Sequence, residues 1–201
     1  MKHDHVTFTG PVIDDSEVLA RLPKGLAEHL QQTNGYVHYH GGFHMRGACL
    51  APAWHSLRDA WLGENAFHRL YPEVKPDDIP FAEDCLGDQF LLRAGDVWQL
   101  YCETGEVEAL EVNFKQFMEE VVDDPGEHLG LHPLLQFQRE GGHLQPGQLL
   151  SALPPFCTEE AEDGVTVSAV TTAERRRFLA EFAAKMRDLP DGGQVDVEVR
   201  E

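Results

Sequence analysis

Gln89-Phe90-Leu91-Leu92-Arg93, Ala94-Gly95-Asp96, Val97-Trp98-Gln99-Leu100-Tyr101-Cys102, Glu103-Thr104-Gly105-Glu106 and Val107-Glu108-Ala109-Leu110 follow one another without a break. Three short apolar stretches alternate with two Gly-containing connections, the pattern of strands joined by tight turns, so this run predicts an antiparallel meander. Just downstream, Asn113 is followed three residues later by Gln116, the spacing of a capping box, and Phe114, Phe117, Met118, Val121 and Val122 recur on one helical face. Asp124-Pro125-Gly126 ends that helix, because proline removes a helical donor and glycine tolerates the exit geometry. A meander followed by a helix, with no regular strand–helix alternation, predicts an α+β domain.

Working toward the N-terminus, Asp14-Asp15-Ser16 offers capping oxygens ahead of Val18, Leu19 and Leu22, and Pro23 resets the helix at its first turn. Leu26 and Leu30 lie four apart on one face, and Thr33-Asn34-Gly35 supplies the stop. Tyr36 to His40 has strand character, with Gly41-Gly42 as the turn before Phe43-His44-Met45. From Pro52, the residues Trp54, Leu57, Trp61, Phe67 and Leu70 recur at helical spacing until Pro72, which places the tryptophans in the core. Toward the C-terminus, Glu127 to Pro155 has one strong element, a strand or short helix at Leu134-Leu135-Gln136-Phe137. Thr171 and Glu174 form a second capping box, and Phe178, Leu179, Phe182 and Met186 stripe the helix that follows. Val195, Val197 and Val199 alternate with charged residues as in a half-buried strand. The expectation is one domain whose bent, mostly antiparallel sheet carries helices outside it, with a C-terminal helix and strand added.

Composition narrows the function. In 201 residues, Asp and Glu number 35 against 16 Lys and Arg, a net charge of −19 that repels phosphate backbones and so excludes nucleic acid as a direct ligand. The same field attracts basic proteins. It is concentrated between Glu103 and Asp124, where eight carboxylates face Lys115 alone. No apolar run is long enough for a membrane span, and Met1-Lys2-His3-Asp4-His5 lacks a secretory core, so a cytoplasmic, membrane-free protein is expected. Cys49, Cys85, Cys102 and Cys157 are too dispersed for a zinc knuckle and are expected to be reduced and mostly buried.

Three pieces in order carry a resemblance. They are Leu22-Pro23-Lys24-Gly25-Leu26 continuing to Asn34-Gly35; Ile79-Pro80-Phe81-Ala82-Glu83-Asp84 with Gly87-Asp88; and Val97-Trp98-Gln99-Leu100-Tyr101 with Thr104-Gly105-Glu106 and Asn113-Phe114-Lys115-Gln116-Phe117. Together they resemble the SUKH superfamily, which includes the fungal cell-wall assembly regulator and many bacterial immunity proteins paired with polymorphic toxins. The resemblance covers Leu22 to Asp124. It implies a SUKH-like domain over residues 1–126, an extension over residues 127–201 packed on the same domain, and a protein-binding role without catalysis or cofactor. Read from the residues alone, Asn34-Gly35 is a helix exit, and Pro80 introduces a turn whose Glu83, Asp84 and Asp88 bond local amides.

The expected function is therefore stoichiometric occlusion of a basic toxin domain by an immunity protein, with Glu83, Asp84, Asp88, Glu103, Glu106, Glu108 and Glu111 as the contributing face. Tyr36, Tyr39 and Trp98 are candidate aromatic anchors, with a core position the favoured reading of Trp98. Two rivals are a housekeeping regulatory or scaffolding protein and a metal-dependent enzyme. The latter would use His38 and His40, which share a face if both lie on a strand, with His44, His68 or a carboxylate of the meander as a third ligand. No Gly-x-Ser-x-Gly elbow and no phosphate-cradling loop is present.

Overall fold

The computed structural model describes residues 5–187. Its centre is a seven-stranded antiparallel sheet in which strand order equals chain order: β1 (Phe8–Thr9), β2 (Tyr36–His38), β3 (Phe43–Met45), β4 (Ile79–Asp84), β5 (Gln89–Arg93), β6 (Asp96–Tyr101) and β7 (Glu106–Asn113). The meander expected between Gln89 and Leu110 is β5 to β7, registered Leu91↔Trp98, Leu100↔Val107 and Gln99↔Glu108. Register shifts between Pro80 and Ala82 in β4, and between Asp96 and Trp98 opposite β7, bend the sheet. The second shift contains Glu111 at φ 57°.

One face of the sheet carries Phe43, Phe90, Leu92 and Val97, covered by α1 (Ser16–Arg21), α2 (Lys24–Gln32) and α5 (Phe114–Asp123). Phe117 of α5 stacks 4.7 Å from Phe90, and burying each such ring is worth ~1.5–3 kcal/mol. The expected capping box starts α5: Gln116 N donates to Asn113 Oδ1 at 3.1 Å, and Asn113 N donates to Gln116 Oε1 at 3.0 Å. The opposite face carries Leu91, Leu100 and Val107, covered by α3 (Leu57–Leu62), α4 (Phe67–Leu70) and α8 (Thr172–Arg187), whose Leu179 and Ala183 are buried there.

The helix expected from Pro52 to Pro72 is broken into a 3-10 turn at Ala53–His55 and the separate helices α3 and α4, because Gly63 caps α3 and the chain reverses before Phe67. Residues 127–187 contribute α6 (Pro125–His128) at their start, α7 (His132–Arg139) and a hairpin of β8 (Gln148–Leu153) with β9 (Thr166–Thr171). Leu134 sits in α7, so its segment is helical, and Leu129, Leu134 and Leu150 join the same core as the sheet. The domain is single and α+β. The strand expected at Val195–Val199 lies outside the described residues.

Three further expectations change. Ile79 to Asp84 is a central strand instead of a turn, with Pro80 at the bulge where a missing donor is tolerated. Among the proposed anchors, Tyr36 is buried in the core and Tyr39 spends its hydroxyl on Val121 O at 3.0 Å. Trp98 is half-buried, 4.4 Å beneath the Arg93 guanidinium.

Candidate functional site

The antiparallel register lines up His44 of β3, Glu83 of β4 and Gln89 of β5 on one face, with Arg46 beside them. On an open sheet this row would meet water. Here α4 and α8 cover it, and Glu83 is 0% exposed. Its carboxylate is 2.8 Å from His44 Nδ1 and accepts from Arg46 Nη2 at 2.7 Å, Gln89 Nε2 at 3.1 Å and Arg176 Nη2 at 3.1 Å. The two arginines hold the Glu83 carboxyl well below its ordinary range despite burial. Arg46 and Arg176 both lie over the Phe67 ring, at 5.5 and 5.4 Å.

The row continues through His44 Nε2 to His55 Nδ1 at 2.9 Å and from His55 Nε2 to Asn34 O at 3.0 Å. Three contacts need three protons and two neutral imidazoles bring two, so protonation would complete the chain while burial opposes the charge. Burial pushes His44 down and takes His55 to about 4.

Glu83 is thus an internal counter-ion and cannot meet a partner. Asp84 is also buried, its Oδ1 accepting from Leu86 N, Gly87 N and Asp88 N at 2.9, 2.9 and 3.0 Å, which is the local turn role expected of it. Asp88 is half-buried and accepts from Cys102 N at 2.7 Å, tying the β4–β5 connection to the end of β6; burial pushes it up to about 6. Neither Glu83 nor Asp84 belongs to a contact face, and Asp88 reaches it only from beneath.

The remaining four carboxylates sit at the β6–β7 hairpin. Glu103, half-buried, accepts from Cys157 N at 3.1 Å and Arg175 Nη2 at 3.3 Å. Glu106 and Glu108 are exposed and, opposite Tyr101 and Gln99, project to the same face. Glu111 is exposed but lies within the bulge, three residues beyond Glu108, so it leaves the strand on the other face and does not join them.

A cavity of about 490 Å³ opens beside the hairpin, bounded by Asp88, Tyr101, Glu103, Glu106, Glu108 and Phe156. Phe156 is 41% exposed, and with Cys157 and Arg175 it comes from the C-terminal part of the chain. None of these three was legible as a site residue, because the loop after β8 and the start of α8 reach the hairpin only through tertiary packing.

Neither a search against protein-family models nor one against curated proteins finds a match.

The structure does not set His38 and His40 side by side on a strand. His38 is buried at the end of β2, and the chain then turns through Tyr39 and His40 at φ 51° and 56°, so the two rings do not share a strand face. His40 instead meets His5, Nε2 to Nδ1 at 3.1 Å, and among the described residues no group of three or more His, Cys, Asp or Glu is placed to hold an ion. Cys49, Cys85 and Cys102 are buried free thiols, while Cys157 is exposed. Among the described residues no helix is long and apolar enough to cross a membrane.

Proposed function

We propose that this chain is a protein-binding module that holds a basic partner domain by the β6–β7 hairpin, in the manner of the immunity proteins of the SUKH superfamily that its motifs resemble. One observation carries the reading. Glu83, Asp84, Asp15 and Asp78 are buried and bonded within the fold, whereas Glu106 and Glu108, among the exposed carboxylates, project side by side from the last strand of the sheet. Exposed like charges on one face cost the fold self-repulsion, and a cationic partner relieves it. Such a face acts by occlusion: a basic surface that would otherwise grip a polyanion is covered by carboxylates at comparable spacing.

The test identifies the open reading frame adjacent to this gene and, with the C-terminal domain of the toxin expected there, measures association kinetics at two ionic strengths. Reversal of both charges, Glu106→Lys with Glu108→Lys, is expected to slow association by about tenfold at low salt and flatten its salt dependence. Glu111→Lys, on the other face, is expected to do much less. Unchanged rate and salt slope in the double variant would refute the acidic-face mechanism.

A further inference from the structure

Among the described residues, the strand that carries Glu106 and Glu108 is the last of the sheet. β7 pairs with β6 on one side, and no backbone–backbone hydrogen bond joins its residues to any other described element. Ahead of the bulge, over Glu106 to Ala109, its outward N–H and C=O groups therefore form an open template. The opposite edge, β1, is two residues long and offers no comparable row.

The two sides of this edge differ in chemistry. On the face of Glu106 and Glu108 lies the cavity already described, where Asp88, Glu103, Glu106 and Glu108 outnumber Arg175. On the face of Val107 lies a second cavity of about 430 Å³, walled by Leu70, Pro72, Val107 and Ala183, with Glu73 and Arg187 opposite in sign. Thr104, Glu106 and Glu108 border both, so the first half of β7 is the ridge between them.

A strand added to this edge would send alternate side chains to opposite faces, into one cavity and then the other. The sequence Glu106-Val107-Glu108-Ala109 alternates acidic with apolar, and its cross-strand complement alternates basic with apolar. A second copy of this chain is a poor occupant, because pairing two such edges would set carboxylate against carboxylate.

We infer that the free edge of β7 takes an extended segment of its partner as an eighth strand, one with alternating basic and apolar side chains. The basic side chains enter the cavity at Glu103 and Phe156, and the apolar ones enter the cavity at Leu70 and Ala183. This rests on the acidic-face reading and adds to it a backbone-directed mode of recognition.

The experiment titrates the full-length protein with three labelled peptides of identical side-chain content and charge, read by fluorescence anisotropy. The first alternates Lys and Val, the second groups the same residues as a Lys block and a Val block, and the third is the alternating peptide N-methylated at every second amide. Alternating peptide is expected to bind at least ~10-fold more tightly than either of the others, and to lose that advantage on the Glu106→Lys, Glu108→Lys protein. Equal binding of all three would overturn strand addition while leaving charge attraction in place. No binding of the alternating peptide would overturn it as well, whereas kinetics with the toxin domain judge the acidic face separately.

Discussion

Glu83 illustrates how little a residue's type says about its task. Its charge, its neighbour Asp84 and its place in an acidic chain suggest a surface contact, yet it is the shared acceptor of Arg46, Arg176 and Gln89 in a closed interior. Glu83→Gln leaves two guanidinium groups without a counter-charge, and removing one member of a buried pair costs about 3–5 kcal/mol. Urea denaturation at neutral pH is expected to show a loss of that order, and a loss below about 1 kcal/mol would mean that the arginines are satisfied elsewhere.

The same interior sets the pH response. His55 is held neutral, its ordinary value of 6.5 brought to about 4, so below 6.5 the unfolded chain binds more protons than the folded one. Stability falls from that source as pH drops from 6.5 toward 4. Asp88 acts oppositely: raised from 3.8 to about 6, it favours the fold at low pH, and that contribution is lost as pH rises through 6. Denaturation across pH 4.5 to 8 should therefore show a shallower acid loss for His55→Gln, and for Asp88→Asn a relative gain that grows as pH rises toward 6 and levels off above it at about 2–3 kcal/mol. Parallel curves for the variants and the unsubstituted protein would refute this assignment.

At the level of elements, local signals and local structure agree where both depend on neighbours in the chain. The box at Asn113 and Gln116 forms as its spacing requires, and so does that of Thr171 and Glu174, where Glu174 N donates to Thr171 Oγ1 at 3.2 Å. Asn113→Ala removes an N-cap oxygen from α5 and is expected to cost about 1 kcal/mol, measurable as a shift in the denaturation midpoint with an unchanged slope. Asn34-Gly35 also behaves as its residue types demand, Gly35 adopting φ 75°. A Cβ there would lie 2.5 Å from Met45 O, so the glycine is required by close packing against β3 as much as by its backbone angle. His38 and His40 fail as a strand pair because the strand ends between them, at a turn whose left-handed residues carry no glycine signature.

For the whole molecule, the net charge of −19 is a property of composition, but its effect depends on where the fold leaves it. Carboxylates bonded inside the fold contribute stability and little external field, while those on the hairpin act at a distance screened by salt. The C-terminal part of the chain is integral to this arrangement: Leu179 closes the core beneath β5 and β6, and Arg175 binds Glu103 from below. Phe156 and Cys157 complete the wall of the cavity at the hairpin.

Strand order in the meander, the starts of the helices capped at Asn113 and Thr171, and the α+β class were determined by the sequence itself, since each follows from periodicity or capping within a few residues. Only the tertiary structure decided which carboxylates face water, that Ile79 to Asp84 runs through the middle of the sheet, and that β7 is left as its edge. Burial is the reason. Whether a strand face meets solvent or a helix depends on segments remote in the chain, as when Arg176 of α8 reaches Glu83, and no local pattern of residues encodes that encounter.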